Sequence, residues 1–311
     1  MRKKVIACGL IGLGLTFKSM ADSPAVAVDI APLHSLVSQV MDGIRSPDLL
    51  IPAEASPHQY TLRPSQARAL SEARIVFWVG EGLTPWLKKV MDNIAGSAQK
   101  VEMLALTTTT TYPYREGATF ERHEHHDEEA HPDDHNDHDH HGIDPHAWLD
   151  PENAKTWTIE IKNVLAEYDP QNAGIYEKNA RKTIAQLDQL IESTHRTVDH
   201  LGEPKFIVFH DAYQYFEKRF NITATGSISL GDAEDPSPAR ITEIQNTVKT
   251  LGVNCIFTEP QYNPGLVHNV FEGTGITTIG VMDPLGAHIQ PGNQHYSKLI
   301  QAMSESLSQC R

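Results

Sequence analysis

Residues 169–204 read DPQNAGIYEKNARKTIAQLDQLIESTHRTVDHLGEP. Tyr176, Ala180, Ile184, Leu187, Ile191, Thr194, Val198 and Leu201 recur at steps of three or four, lining one face of a single helix. Asp169 is placed to cap its start, Pro170 suits the first helical position, and Gly202 and Pro204 stop it. The pattern predicts one helix over 169–202, roughly 48 Å long at about 1.5 Å per residue. Working outward, short apolar runs alternate with amphipathic ones on both sides. Before it, strands are predicted at 25–30, 48–51, 75–79 and 100–104, with helices at 32–41, 64–73 and 84–94. After it come strands at 206–209, 223–228, 253–258 and 277–282, with helices at 212–220, 239–251 and 265–272. Strands alternating with helices imply βαβ units and parallel sheets. A core helix of one large domain would carry the same apolar face. Its position between two similar sets points instead to a connector, stiffer than a Gly/Ser linker.

The predicted fold class is therefore α/β: two lobes, each a parallel sheet flanked by helices, joined by one long rigid helix. The expected boundaries are an N-terminal lobe over 22–168, the helix over 169–202 and a C-terminal lobe over 203–311. The length of 311 residues agrees with two domains at roughly 150 residues each. A hydrophobic content of 40% is enough for packed cores. With 40 acids against 26 bases the formal charge is −14, which argues against nucleic acid or an anionic membrane as partner.

Residues 1–21 read as a secretory signal peptide. Arg2, Lys3 and Lys4 are followed by an apolar run over 5–17, too short to span a bilayer, and by Ser19-Met20-Ala21 as a cleavage site. Cleavage near Ala21 removes four bases and no acids, taking the charge to −18. Export out of the cytoplasm is expected. Cys8 lies early in the apolar run, a poor position for lipid attachment. Cys255 and Cys310 then remain; in an oxidising compartment two cysteines usually pair, closing a loop that stabilises the fold by about 4 kcal/mol. Two buried thiols are the alternative. A zinc site is disfavoured because neither cysteine belongs to a Cys-x-x-Cys pair.

Residues 121–141 hold nine acids, one base and eight histidines: His123, His125, His126, His131, His135, His138, His140 and His141. Almost nothing in this stretch is apolar, so it cannot bury itself, and the loop around 115–142 is expected to be mobile. Imidazole suits zinc, copper, nickel and cobalt, and the carboxylates add attraction. A mobile tract cannot fix a geometry, so auxiliary, weaker binding is expected there; an acidic solvated loop is the plainer alternative.

Four other residues each follow a candidate strand or the tract: His58 in Ser56-Pro57-His58-Gln59-Tyr60, His146 in Asp144-Pro145-His146-Ala147-Trp148, His210 before Asp211-Ala212-Tyr213, and Asp283 before Pro284-Leu285-Gly286. In open α/β sheets ligands bind at the carboxyl ends of strands. With two candidates from each lobe, they could converge in the cleft, and three imidazoles with a carboxylate make a tetrahedral zinc site. Taken singly, each histidine is more often structural than a ligand.

These segments, with Arg63-Pro64-Ser65, Leu149-Asp150-Pro151 and Thr258-Glu259-Pro260-Gln261, resemble in order the metal-binding periplasmic proteins of ABC importers. With the His/acid tract before the second motif, the chain looks like the zinc-specific, ZnuA-type branch of that family. The resemblance covers essentially the whole mature chain. It implies zinc in the interlobe cleft, held by His58, His146 and His210, with Asp283 at the position of a fourth ligand in manganese-binding relatives. In zinc members a water or another carboxylate can take that place. Pro57 stands where some zinc members carry a glutamate. The disulfide of zinc members falls on Cys255 and Cys310. Manganese prefers harder oxygen donors, so His210, where manganese relatives tend to have glutamate, shifts the site toward zinc.

The expected function is capture of Zn2+, as transported ligand and not as the cofactor of an enzyme. Delivery goes to the membrane permease of an ABC zinc importer with its cytoplasmic ATPase, with periplasmic zinc donors as further partners and a monomeric state. Manganese or iron transport, a periplasmic zinc hydrolase and a zinc buffer or adhesin are the alternatives; no His-Glu-x-x-His motif supports the hydrolase. His34, His195, His200, His268, His288 and His295 read as surface or packing residues, and Trp78, Trp86, Trp148 and Trp157 as core or lobe-surface aromatics. Glu259 reads equally as orienting a ligand through a hydrogen bond or as structural.

Overall fold

The computed structural model describes residues 23–115, 142–229, 237–262, 271, 276 and 278–310. The signal peptide expected over 1–21 with its cleavage site, the eight tract histidines and most of the helix expected at 265–272 lie outside the described residues.

The first sheet contains β1 (Val26–Val28), β2 (Asp48–Leu49), β3 (Ile75–Trp78) and β4 (Gln99–Glu102), in the order β2-β1-β3-β4. The second contains β5 (Phe206–His210), β6 (Gly226–Ser229), β7 (Cys255–Thr258) and β8 (Thr278–Val281), in the order β6-β5-β7-β8. Every pairing is parallel. Parallel strands need crossovers, and crossover helices bury both faces of the sheet. That is why β3 reads IVFW and β5 reads FIVFH, with every residue buried. The crossovers in the first lobe are α1 (Ala31–Val40), α2 (Pro64–Glu72) and α3 (Pro85–Ile94); in the second they include α6 (Gln214–Phe220) and α7 (Pro238–Leu251). The two-lobed α/β class expected from the sequence is the one observed.

Two helices escaped the sequence reading. The first, α4 (Pro151–Tyr168), is started by Asp150, whose carboxylate accepts from the Glu152 amide at 2.9 Å, with Pro151 at its first turn. The second, α8 (His295–Ser308), buries Tyr296, Leu299, Ile300, Met303 and Leu307, a three-four stripe.

The long helix also starts differently. A short 3-10 turn over Pro170–Asn172 precedes α5 (Ala173–Val198), 26 residues or about 39 Å. Asp169 does not cap it: its carboxylate accepts from Asn172 Nδ2 at 2.7 Å and from the Tyr176 hydroxyl at 3.0 Å. Gly202, at φ +69°, follows the end of the helix as expected.

One core runs through both lobes. It joins Val28 and Leu36 of the first to Leu187 on α5, Phe206 and Tyr213 of the second, and Met303 on α8. The Tyr296 hydroxyl donates to the Trp148 carbonyl at 2.7 Å, so the C-terminal helix reaches back to the cleft wall. A Cys255–Cys310 disulfide fastens β7 to the end of α8.

Candidate metal centre

The residues at the carboxyl ends of the strands converge as open α/β sheets require. His210 ends β5, Glu259 follows β7, Asp283 follows β8, and His58 lies in the loop after β2. His146 precedes a 3-10 turn, Ala147–Leu149, that leads into α4. The ligand atoms of His58, His146 and His210 all lie within 4.8 Å of one another. His146 and His210 are buried, and His58 is partly exposed.

Each of the two buried imidazoles has its direction set by a carboxylate. His146 Nδ1 lies 2.7 Å from Asp144 Oδ1, and His210 Nδ1 lies 2.7 Å from Glu259 Oε1. A carboxylate oxygen accepts, so Nδ1 carries the hydrogen and Nε2 keeps its lone pair. The two Nε2 atoms face each other at 3.4 Å. Lone pairs at that distance repel unless a cation shares them, which is the arrangement of carboxylate–histidine–zinc sites. Glu259, left open in the sequence between orienting and structural roles, touches His210. Asp144 was not singled out, although its place two residues before His146 is the signal that could have found it.

Asp144 is itself held by the second lobe. Gln214 Nε2 donates to Asp144 Oδ2 at 3.2 Å and the Tyr215 hydroxyl to the Asp144 carbonyl at 2.7 Å. Next to His210, Asp211 takes the guanidinium of Arg115, which also bonds both carboxylate oxygens of Glu217 at 2.7 and 2.9 Å. Burial pushes the Asp211 carboxyl up, against the pull of Arg115. Burial alone would lower Arg115; Glu217 and Asp211 outweigh it, and the guanidinium is held charged more firmly than usual. Arg219 on α6 adds a two-pronged bond to Asp150, at 2.7 and 2.8 Å. On the other side of the cavity the Trp86 indole donates to the Pro57 carbonyl at 2.8 Å, fixing the loop that carries His58.

Asp283 does not join the three histidines. Its Oδ1 accepts from the amides of Leu285 and Gly286, both at 2.9 Å, and from Gln261 Nε2 at 3.0 Å; its Oδ2 accepts from the Ala287 amide at 2.6 Å. Gly286 makes this turn possible: at φ +74° its missing Cβ would sit 2.9 Å from His295 Nε2.

The cavity is lined by the three histidines together with Ser56, Pro57, Trp148, Glu259, Gln261, Tyr262, Pro284 and Leu285. Its volume is about 10 Å³, close to that of one water-sized sphere. Trp148 closes one wall, its ring 5.2 Å from His146 and its indole donating to the Pro284 carbonyl at 2.8 Å. Trp157 is fully buried in the core, as expected.

A two-lobed α/β protein with three imidazoles clustered around the histidine that ends β5 belongs to the class of metal-binding solute-binding proteins. The family model "Zinc-uptake complex component A periplasmic" (ZnuA) matches residues 26–310, and the chain belongs to that family, the zinc-binding periplasmic components of zinc uptake systems. It is similar to the high-affinity zinc uptake system protein ZnuA of Brucella abortus (strain 2308), 40% identical over 304 residues that cover 92% of this chain and 91% of the relative. The ZnuA protein of Paracoccus denitrificans (strain Pd 1222) is 37% identical, covering 93% and 92%. Among solved structures, a ZnuA crystal structure superposes with a TM-score of 0.75 at 24% identity, covering 93% of this chain and 99% of that one. A laminin-binding adhesin of Streptococcus agalactiae, 24% identical, shares the fold with a TM-score of 0.73, covering 92% and 98%. Among the described residues no helix is long and apolar enough to cross a membrane.

Proposed function

We propose that the chain captures Zn2+ in the interlobe cavity through His58, His146 and His210. Delivery is to the membrane permease of an ABC importer driven by a cytoplasmic ATPase, after export directed by residues 1–21. Lobes over 22–168 and 203–311, joined by the segment over 169–202 that contains α5, are part of this reading. The observation that carries it is the cluster of three imidazoles lining one cavity. Nitrogen donors favour zinc over manganese. The tract histidines serve as an auxiliary metal-attracting loop.

Chelator competition on the metal-free protein tests this. One tight zinc site is expected, lost in His146→Ala and His210→Ala; unchanged binding in both variants would overturn it. Deleting residues 121–141 should remove weaker sites and keep the tight one. Because neutral imidazole is the ligand, zinc affinity should fall as pH drops through the ordinary histidine range, about 6.5.

A further inference from the structure

Three cavity-lining residues have a buried side-chain atom without a hydrogen-bond partner among the described residues; one of these atoms, Glu259 Oε2, lies 2.7 Å from His210 Nδ1 as its ion-pair partner, and two others stand out. Ser56 Oγ and Gln261 Oε1 are buried, and neither has a hydrogen-bond partner among the described residues. Both residues line the cavity with the three imidazoles. A buried acceptor without a partner costs free energy, so such atoms in a folded protein call for a ligand or a bound water. The orientation of the Gln261 amide is decided by its other end. Nε2 donates to the Ala53 carbonyl at 2.9 Å and to Asp283 Oδ1 at 3.0 Å. Both partners are acceptors, so the amide cannot be turned over, and Oε1 is left as an acceptor. Asp283 cannot drift either, because three backbone amides hold it.

Three imidazoles fill three of the four positions of tetrahedral zinc. A neutral amide and a hydroxyl are weak zinc donors beside imidazole, but both accept hydrogens well. A water on zinc has two hydrogens to give. We infer that Gln261 and Ser56 receive those hydrogens from a water that completes the zinc coordination, and that Asp283 acts on the ion through Gln261 rather than by binding it. This inference rests on the three-histidine reading above. It makes Gln261 a positioning residue that helps set metal choice: a neutral acceptor tolerates a water but supplies no hard anionic donor for manganese.

The test uses the full mature chain, with Zn2+ affinity from chelator competition and the visible spectrum of the Co2+-loaded protein as readouts. Gln261→Leu should weaken zinc about 10- to 100-fold, the range for groups that orient metal ligands, and shift the Co2+ bands. Ser56→Ala should act in the same direction and more weakly. Gln261→Glu places a carboxylate against the ion and should narrow the preference for Zn2+ over Mn2+. Asp283→Asn should weaken zinc in the wild-type background and add nothing in Gln261→Leu. Wild-type affinity and an unchanged Co2+ spectrum in both Gln261→Leu and Ser56→Ala would overturn the inference, as would fully additive losses for Asp283→Asn and Gln261→Leu. If His146→Ala and His210→Ala also bind normally, the three-histidine reading has failed with it; if they lose the site, only the water cradle has.

Discussion

The two sheets share one strand order, and each brings a carboxyl group to the crevice between its two central strands. In the first sheet, Asp29 follows β1 and accepts from the amides of Ile30 and Val79, both at 2.7 Å, the latter just past β3. In the second, Glu259 follows β7 and reaches across to His210 at the end of β5. The crevice is the same topological switch point in both, the place where open α/β sheets bind ligands. Asp29 is entirely buried and ties one strand end to another. Glu259 orients an imidazole at the cavity. The same switch point thus holds a structural cross-link, reaching from the β1 side, in one lobe, and in the other a carboxylate that reaches from the β7 side to the histidine ending β5.

The largest effect that would sharpen this contrast is expected at Arg115. The crevice of the second sheet continues into Asp211 and Glu217, two buried carboxylates that share the Arg115 guanidinium. Removing the cation leaves both charges buried without compensation, a loss of about 3–5 kcal/mol. Urea denaturation of Arg115→Met should show a drop of that order, with weaker zinc binding because Asp211 adjoins His210. A change under about 1 kcal/mol would mean that the network is replaceable by apolar contacts.

Next in size are the orienting carboxylates. Glu259→Gln and Asp144→Asn should each weaken zinc about 10- to 100-fold, equivalent to about 1.4–2.7 kcal/mol, with little change in the denaturation midpoint of the metal-free protein. Asp29→Asn should leave zinc affinity unchanged. If Asp29→Asn weakens zinc as much as Glu259→Gln does, the two crevices do not differ in role and the comparison fails.

Much of this arrangement is legible in the sequence, and the limits have physical causes. The βα rhythm is visible because buried parallel strands are continuous apolar runs. The segments around His58 and His210 stand out because a motif follows a strand, and that around His146 because a motif follows the His/acid tract. The helix after Asp150-Pro151 and the stripe from Tyr296 to Leu307 carry the same helical period in the sequence. The destination of Asp283 is a different matter. Its carboxylate is claimed by amides of Leu285, Gly286 and Ala287, a consequence of a tight turn that residue type alone does not reveal. Ser56 and Gln261 belong to the motifs that carry the resemblance, but residue type alone does not show that their oxygens are buried in the cavity wall without partners.

The last effect concerns pH and belongs to the first crevice. Burial raises the Asp29 carboxyl from the model-compound value of 3.8 to about 7, partly offset by the amides of Val79 and Ile30. Between those values the folded chain holds a proton that the unfolded chain has released. The unfolded state then binds fewer protons, so stability falls as pH rises through that window and levels off above it. Asp29→Asn cannot titrate. The stability of the wild type relative to Asp29→Asn should therefore decline from about pH 4 to about pH 7, by at most about 1.4 kcal/mol per pH unit. Urea titrations of both metal-free proteins at pH 4.5, 6 and 8 measure it. Parallel curves would show that Asp29 does not titrate in this window. A decline confined to the wild type would show that the first crevice holds a proton-sensitive cross-link at the switch point where the second holds a histidine.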